Sequence, residues 1–451
     1  MGIFSSLSKE HKEAVGLLQV GTFLEYFDLM LYVHMAVLLN DIFFPKTDPH
    51  TARIISAFAF STTFIFRPLG ALIFGYLGDT IGRKGTVILT TFLMAISCFI
   101  MSLLPTYEQI GITATWLVTM CRILQGISSM GERTGAELYL TETTKIPTRY
   151  PIVALITVAS SVGGTVALAI SYLVTSANYA LGWRIAFWIG TGVALIGSVA
   201  RTTLRETPDF ADAKRRLKQI VKEANEDPKI IENNALWQEK TSFKTVLALF
   251  LIQCTWPICM YFFYVHCGSI LKSSFNFTSE QVIHQNFLVS IGQLTSDVIV
   301  AYLCYKIYPL KILKVKLAMF IMFILACPYL LNHLNSSNEL LWIQSFAVAF
   351  VPTVYPATPI FYMHFPVFKR FTYPCLIHSL SRALMYVATS FGIAYLISRF
   401  NNFSILVITL PIMVGYTFSI IHFEKLEKEV GNYPGKKKYG VASNLNLVGS
   451  G

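Results

Sequence analysis

Two acidic residues lie inside an apolar stretch near the start of the chain, in the sequence GTFLEYFDLMLY. Glu25 and Asp28 are three residues apart, so a helix would carry both carboxylates on one face. Two adjacent carboxylates in a low-dielectric environment repel each other and tend to share a proton. The pair therefore predicts a proton-binding site within a membrane. A static salt bridge to a neighbouring helix is the alternative that this spacing leaves open.

A second group of polar residues lies in the stretch TMCRILQGISSMGERTGAELYLTE. A charge in the middle of a bilayer costs about 3 kcal/mol or more, so Arg122 requires an acidic partner, which Glu25 or Asp28 could supply. Gln125 follows Arg122 by three residues, and its amide could face a substrate. Glu132 lies about two turns further along and is a candidate for contact with the substrate or with a proton.

The later part of the chain has one acidic and one basic residue within apolar stretches, Asp297 in GQLTSDVIVAYL and Arg382 in SLSRALMYVATSFG. A guanidinium group can hold both oxygens of a carboxylate, so Arg382 is predicted to bind a substrate carboxylate. A structural Asp297–Arg382 pair is the alternative. Tyr264 and His266 belong with Trp256 to a polar and aromatic group of the kind that lines small-molecule pockets, although simple packing would also explain them. We assign Asp297, Tyr264 and His266 to the substrate site.

The most distinctive stretch is FRPLGALIFGYLGDTIGRKGT, which combines small residues, one carboxylate and two cations. Glycine lets two membrane helices approach closely and permits the tight turn that follows. Asp79, Arg83 and Lys84 would lie where the chain leaves the membrane. This arrangement is typical of a gate in a transporter that moves between two states. Glu142, and with it Glu137, is predicted to belong to the same inner gate.

Long apolar elements must position these residues, and the composition provides them. Of the 451 residues, 54% are hydrophobic and 14% are charged, whereas soluble proteins carry about 25% charged residues. A membrane span needs about 20 mainly apolar residues. The chain is therefore predicted to be an all-α membrane protein with twelve transmembrane helices in two six-helix bundles. The predicted spans are 17–43, 53–78, 85–104, 113–141, 151–175, 183–204, 244–271, 281–304, 312–330, 339–365, 372–398 and 402–423.

The spans divide six and six around one long polar segment. We predict an N-terminal bundle over residues 1–204, a cytoplasmic linker over 205–243, a C-terminal bundle over 244–424 and a cytoplasmic tail over 425–451. The linker sequence DFADAKRRLKQIVKEANEDP predicts an amphipathic helix on the membrane surface, with a solvated helix as the alternative. The halves are unequal, because Tyr305 stands where a repeated gate motif would have its carboxylate.

The net charge of +11 is concentrated in alternate loops, so we predict no nucleic-acid partner. By the positive-inside rule, both termini are expected in the cytoplasm. The first residues do not resemble a signal peptide, so the first span is expected to be retained. The eight cysteines show no zinc spacing, and the sequence has no phosphate-binding loop and no nucleophile beside a base. We predict that the protein is not an enzyme and binds no cofactor or metal. The loop cations are Arg83, Lys84, Lys145, Arg149, Lys306, Lys311, Lys314, Lys316, Lys369 and Arg370.

Several motifs resemble those of a known family. RPLGALIFGYLGDTIGRKG is similar to the signature between spans two and three of the major facilitator superfamily. GTFLEYFDLMLY, RILQGISSMGERTGAE, GWRIAFWIG and RTTLRETPDF resemble motifs of its metabolite:proton symporters. That branch includes permeases for proline and betaine, 2-oxoglutarate, citrate and shikimate. The resemblance covers residues 15–212 and is weaker beyond them.

The resemblance implies the major facilitator fold, with alternating access to one central site. It implies that the two carboxylates of the first span serve proton coupling or the substrate site, with Arg122 as their partner. Asp79, Arg83 and Lys84 would form the cytoplasmic gate, in which Asp79 faces the positive N-terminal end of span eleven. Arg382 departs from the family, which usually has Asn at this position.

These features predict a proton-coupled secondary transporter, similar to proline/betaine permeases, that imports a small carboxylate-bearing metabolite such as proline, betaine or an organic acid. The expected setting is a bacterial inner membrane, with the lipid bilayer, a small molecule and protons as partners. The proton gradient would drive transport, and the expected oligomeric state is a monomer. Two alternatives remain open: an uncoupled exchanger or facilitator of the same fold, and a non-transporting sensor on a transporter scaffold.

Overall fold

The structure is a computed structural model that describes residues 9–45, 64–176, 182–202, 215 and 241–434. Throughout these residues the regular secondary structure is helical. The helices of the first half are α1 (Lys9–Phe43), α2 (Arg67–Thr80), α3 (Arg83–Leu103), α4 (Tyr107–Ile110), α5 (Ile112–Thr143), α6 (Arg149–Ser176) and α7 (Gly182–Arg201). Those of the second half are α8 (Phe243–Gln253), α9 (Thr255–Met260), α10 (Cys267–Phe275), α11 (Ser279–Lys306), α12 (Pro309–Asn332), α13 (Ser337–Phe350), α14 (Thr358–Met363), α15 (Thr372–Phe400) and α16 (Ser404–Glu429).

Five stretches of the described residues are long and apolar enough by themselves to cross a membrane. Lipid offers no hydrogen bonds, so each backbone N–H and C=O of a spanning segment must be paired within the protein, and a helix achieves this locally. Three further helices of 29 residues or more, α1, α5 and α15, carry charged residues of the predicted site. The five apolar stretches are Arg83–Leu103, Arg149–Leu173, Phe243–Phe275, Glu280–Lys306 and Asn401–Glu429.

Glycines bring the helices of the first half close together. α2 packs on α5, and α1 packs on α6. A Cβ atom at Gly70 of α2 would lie 2.1 Å from the carbonyl oxygen of Ile127 in α5. A Cβ atom at Gly163 of α6 would lie 2.3 Å from the carbonyl oxygen of Phe23 in α1. Both contacts are backbone against backbone, so only glycine fits at these two positions.

The two halves meet along two pairs of helices, α2 with α15 and α6 with α11. α11 is the second-half counterpart of α2, and α15 is that of α6, so the internal repeat relates the two contacts. At the first contact, a Cβ atom at Gly75 would lie 2.8 Å from the Cα atom of Thr372, and one at Gly78 would lie 2.4 Å from the ring of Phe371. The glycines of the gate motif therefore form the contact between the halves. We call the end of the molecule where α2 ends and α15 begins the gate end.

Some elements differ in detail from the predicted spans. The seventh span is one continuous stretch that contains a π-helical segment, Tyr261–His266. The tenth is interrupted between Phe350 and Thr358, in a proline-containing region where the backbone is irregular, as transporters often have beside a cavity. α16 continues to Glu429, past the predicted boundary at residue 424. The predicted linker helix and the end of the tail lie outside the described residues.

The close contact at Gly70 predicts that the loss of stability on replacing a glycine by alanine depends strongly on its position. Gly70→Ala should lower the stability of the protein by about 1–3 kcal/mol, because the new methyl group overlaps the backbone of Ile127. Gly192→Ala in α7 is the matched control, since a Cβ atom there meets nothing within 4 Å. Thermal unfolding of the detergent-solubilised variants measures both effects. Equal melting temperatures for the two variants would contradict the packing described here.

Candidate functional site

At the gate end, Asp79 binds the N-terminus of α15. Its carboxylate accepts hydrogen bonds from the backbone N–H groups of Phe371 (3.1 Å) and Thr372 (2.8 Å) and from the Thr372 hydroxyl (2.7 Å). These N–H groups lack partners within the helix, and the helix dipole favours a negative charge at this position. Asp79 lies in the first half and α15 in the second, so this contact joins the two halves.

Arg83 extends the contact at the gate end. Its guanidinium is fully buried and donates hydrogen bonds to the carbonyl oxygens of Gly78 (2.8 Å) and Val367 (2.7 Å). Glu142 lies 3.4 Å from Arg83 and also pairs with Arg370 of the second half, at 3.2 Å. The carboxylate of Glu142 is thus shared between cations of both halves, which closes this end of the molecule.

A cavity lies between the two halves, away from the gate contacts. Helices of both halves contribute charged residues to its lining, which is unusual for a buried surface unless the charges have a function. The ionisable residues that line it are Arg133, Glu137, Asp297, Lys316, His378 and Arg382. A second cavity adjoins it and shares Tyr26, Ser160, Ser161, Trp256 and Gln293 with it.

Arg382 of α15 differs from the other cations of the cavity. Its side chain is buried, with 6% of the residue exposed, and its Nη1 atom has no hydrogen-bond partner. Within the described residues it forms no ion pair. Its electrostatic neighbours are Tyr386 and Tyr26, followed by two further cations, Arg133 and Arg67. A buried guanidinium in this state bears the cost of desolvation without a carboxylate to offset it. It is therefore a site at which an anion would be stabilised.

Arg133 and Glu137 form an ion pair on the first-half wall of the cavity. The Nε atom of Arg133 lies 3.0 Å from Glu137 Oε1, and the guanidinium also donates a hydrogen bond to the Tyr26 hydroxyl. The other oxygen of Glu137 accepts a hydrogen bond of 2.8 Å from the hydroxyl of Tyr362 in α14. Glu137 therefore binds to the second half from within the cavity wall, and is not part of the Arg83 network at the gate.

Asp297 of α11 forms a second bridge between the halves. Its two oxygens accept hydrogen bonds from the hydroxyls of Ser161, in α6, and Tyr355, in the break after α13. The ammonium group of Lys316 lies 5.5 Å from the centre of the Tyr355 ring and interacts electrostatically with Asp297. The alternative Asp297–Arg382 pair is not formed, because Asp297 is held by these partners instead.

The sequence pattern of the family described as "Sugar (and other) transporter" matches residues 16–366. The chain belongs to this family. It is a transporter of the major facilitator superfamily and not an enzyme. The match covers well over half of the chain and includes parts of both halves, whereas the start of α15 and the cavity residues His378 and Arg382 lie beyond it.

Individual relatives are transporters of small molecules. The chain is 31% identical to the proline/betaine transporter of Escherichia coli K12 over 289 residues, which is 63% of this chain and 57% of that protein. It is 35% identical over 213 residues to a glycine betaine/proline/ectoine/pipecolic acid transporter of Dickeya dadantii, which is 46% of this chain and 42% of that protein. The matches thus span only about half the length of these relatives.

Solved structures show the same fold. The proton:xylose symporter XylE, bound to 6-bromo-6-deoxy-D-glucose, superposes with a TM-score of 0.72 at 15% identity, covering 92% of this chain and 95% of that chain. A double tryptophan mutant of XylE gives a TM-score of 0.73 at 16% identity, covering 91% of this chain and 94% of that chain. The fold class predicted from the sequence, twelve transmembrane helices in two bundles, is confirmed.

The residues predicted for proton coupling lie partly inside the described structure. Glu25 is buried and close enough to Arg133 to interact with it electrostatically. The side chains of Asp28 and Glu132 lie outside the described part of the structure. Arg122 is buried and donates a hydrogen bond of 2.6 Å to the Gln125 side chain. Arg122 and Gln125 are therefore adjacent, as expected, but neither is among the residues that line the two cavities.

The predicted aromatic group divides into two environments. Tyr264 lines the adjoining cavity and donates a hydrogen bond of 2.8 Å to Gln293. His266 packs against the ring of Phe262, with 5.0 Å between ring centres, and does not line either described cavity. The packing alternative therefore describes His266 better than a place in the cavity. Lys84, predicted for the gate, is half-buried and has no ion pair within the described residues.

Two cations and one histidine of the cavity wall were not predicted as site residues from the sequence. Arg133 is one of them, although its charge within a span and its i,i+4 spacing to Glu137 are a usable signal. Lys316 was counted as a loop cation, but α12 begins at Pro309 and places it two turns inside. His378 is buried in the cavity wall, 3.2 Å from the Gln253 side chain.

The capping of α15 predicts the effect of Asp79→Asn. Asparagine keeps the size of the side chain but loses the charge, which should weaken the gate by about 0.5–2 kcal/mol and raise the population of the open state about 2- to 30-fold. Spin labels are placed at Ile146 on the first half and Ile307 on the second half, both exposed positions. A larger open population appears as a longer distance between the two labels. Glu108→Gln, in the short helix α4, is the control. An unchanged distance distribution in Asp79→Asn would contradict the role of the cap.

Proposed function

We propose that this protein is a proton-coupled symporter that imports a small carboxylate-bearing metabolite by alternating access. The observation that carries the proposal is Arg382, a buried guanidinium that lines the central cavity without an ion-pair partner among the described residues. The names of two relatives, proline/betaine transporters, and of the structural neighbour, a proton:xylose symporter, support transport of a small molecule with protons. The proposed setting is a bacterial inner membrane with the gate end in the cytoplasm.

The substrate contact follows from the charge of Arg382. Removing a guanidinium from water is costly, and the cost is recovered when a carboxylate binds with two parallel hydrogen bonds. Trp256 of α9 and Tyr26 of α1 line the same cavity and offer apolar surface beside the charge. A concave, mainly apolar lining with a few polar groups is typical of sites that bind small molecules. A compact molecule with one carboxylate and a small apolar body fits this arrangement.

Alternating access follows from the contacts between the halves. The gate end is closed by hydrogen bonds and ion pairs of Asp79 and Glu142, around glycines that let α2 and α15 touch. Each of these contacts contributes little free energy. A change of a few kcal/mol in their total therefore shifts the population between closed and open states. Rocking of one bundle against the other would open this end and expose the cavity to the cytoplasm.

Proton coupling is assigned to the carboxylates of α1. Glu25 is buried beside the charges of the cavity, and Asp28 follows it by one turn. A proton on this pair would remove a negative charge and weaken the attraction of the pair for Arg122 and Arg133. The weaker attraction would favour opening of the gate end. Glu132 remains a candidate for the same role. Substrate and proton would then move together because both act on the same set of cations.

Arg382→Gln should remove the substrate contact. Loss of a charged hydrogen-bonded pair costs about 1.5–3 kcal/mol, which raises Kd or KM about 10- to 150-fold. Thermal stabilisation with a panel of amino acids, betaines, mono- and dicarboxylates and sugars identifies the ligand, and uptake into proteoliposomes then gives KM. Arg399→Gln is the control, an exposed arginine near the other end of the same helix. Stabilisation of the wild type by sugars only, or equal ligand affinity in Arg382→Gln, would contradict the assignment.

Glu25→Gln together with Asp28→Asn should abolish accumulation against a gradient and leave counterflow exchange intact. The reason is that neutral amides cannot take up a proton, while the path for the substrate remains open. Uptake with and without an imposed proton gradient measures the effect. If the double variant still accumulates substrate, the proton role is wrong. Uptake by the wild type that a protonophore does not reduce would favour an exchanger or facilitator, and a ligand that stabilises the protein without crossing would favour a sensor.

A further inference from the structure

The second half lacks the carboxylate of the gate motif, yet a different carboxylate lies at its gate end. Tyr305, which stands in place of the motif carboxylate, is half-buried on α11. Glu427, on the last turn of α16, is buried with 3% of the residue exposed. It lies in the sequence FEKLEKEV, which gives no sign of burial, and its neighbour Glu429 is largely exposed. A carboxylate withdrawn from water at this position requires partners.

Glu427 has two partners from different elements of the second half. Its Oε2 atom accepts a hydrogen bond of 2.6 Å from the hydroxyl of Tyr308, in the turn between α11 and α12. Its Oε1 atom lies 2.9 Å from Nε2 of His364, just after α14. The carboxylate therefore ties the end of α16 to the turn before α12 and to the end of α14.

Both of these elements contact the first half. The ring of Tyr308 meets the ring of Tyr150 edge to face, with 6.1 Å between ring centres, and Tyr150 is buried at the start of α6. Two residues before His364, Tyr362 donates its hydrogen bond to Glu137 of α5. Glu427 thus holds Tyr308 directly, and through His364 it holds the end of α14 two residues after Tyr362.

The internal repeat relates the contact between Tyr308 and Tyr150 to the contact that Asp79 makes at the first gate. In the first half, Asp79, on the last turn of α2 just before the turn to α3, reaches the start of α15. In the second half, Tyr308 reaches the start of α6 from the turn between α11 and α12. Those two turns are counterparts, as are α15 and α6. The Tyr308–Tyr150 ring pair therefore occupies the position that corresponds to the Asp79 cap of α15. The hydrogen bond from Tyr308 to Glu427 orients the Tyr308 ring.

We propose that Glu427, acting through Tyr308 and His364, is the second-half latch that holds the gate end closed. Glu427 is a positioning residue, because among the described residues its carboxylate bonds Tyr308 and His364 of the second half, does not line the cavity, and acts on Tyr150 of the first half only electrostatically. This latch rests on the alternating access proposed above. Its release would accompany the opening of the gate end, when the rings of Tyr308 and Tyr150 separate. The latch would hold the second half in the closed state in place of the gate-motif carboxylate, which is Tyr305 in this half.

The experiment measures access to the cavity from the gate end and needs no knowledge of the substrate. A reporter cysteine at Val354, which lines the cavity, is labelled with a membrane-impermeant maleimide in inside-out vesicles. Glu427→Gln and Tyr308→Phe should each raise the labelling rate about fivefold, since each weakens a hydrogen bond that favours the closed state. Glu429→Gln, two residues further on the same helix, should leave the rate unchanged.

The outcomes separate the latch from a structural role and from the proposed function. The latch is overturned if Glu427→Gln lowers the melting temperature but leaves the labelling rate unchanged, and Tyr308→Phe also leaves the rate unchanged. Asp79→Asn is measured beside them as the first-gate variant. If Asp79→Asn raises labelling and the other two do not, alternating access stands and the latch is wrong. If none of the three raises labelling, both are wrong. A rise in both Glu427→Gln and Tyr308→Phe, with Glu429→Gln unchanged, supports the latch.

Discussion

A charge buried in a membrane protein must be matched inside the protein, and this constraint governs the arrangement described here. Lipid cannot solvate an ion, so each buried carboxylate and cation either finds a partner or marks a site that a ligand completes. Glu142 meets two arginines, and Glu137 meets Arg133. Arg382 is the exception among the described cavity residues, with a buried Nη1 atom left unpaired. Among the described lining residues, the buried guanidinium without an ion pair therefore lies in the cavity between the halves.

The contacts that join the halves are numerous and individually weak, which suits the alternating access proposed above. Glycines set the distance between α2 and α15, so the polar groups around them meet at hydrogen-bonding distance. The bonds of Asp79, Glu142 and Glu137 are each worth about 1–3 kcal/mol at most, because water can replace them when the gate opens. One stronger apolar interface would close the gate end permanently. A set of replaceable polar bonds keeps closed and open states close in free energy.

The gate could be predicted from the sequence because its residues are local. Asp79, Arg83 and the glycines occupy one short segment whose turn and helix ends fix their relative positions. The fold class followed in the same way from twelve apolar stretches. The cavity could not be predicted as well, because which residues line it depends on the rotation and depth of each helix. Lys316 shows this: its place in a row of lysines suggested a loop, whereas the start of α12 puts it inside the protein.

The distribution of charge in the cavity bears on how a substrate is selected. Among the described lining residues, Arg133 and Glu137 bind each other, and Asp297 is held by two hydroxyls beside Lys316. Neither carboxylate is left to receive an ammonium group, whereas Arg382 is left to receive a carboxylate. The acidic end of a substrate would therefore be recognised by charge and the rest of the molecule by the shape and aromatic surface around Trp256. For the proposed carboxylate-bearing substrates, selection among them would then depend on the other lining residues and not on the arginine itself.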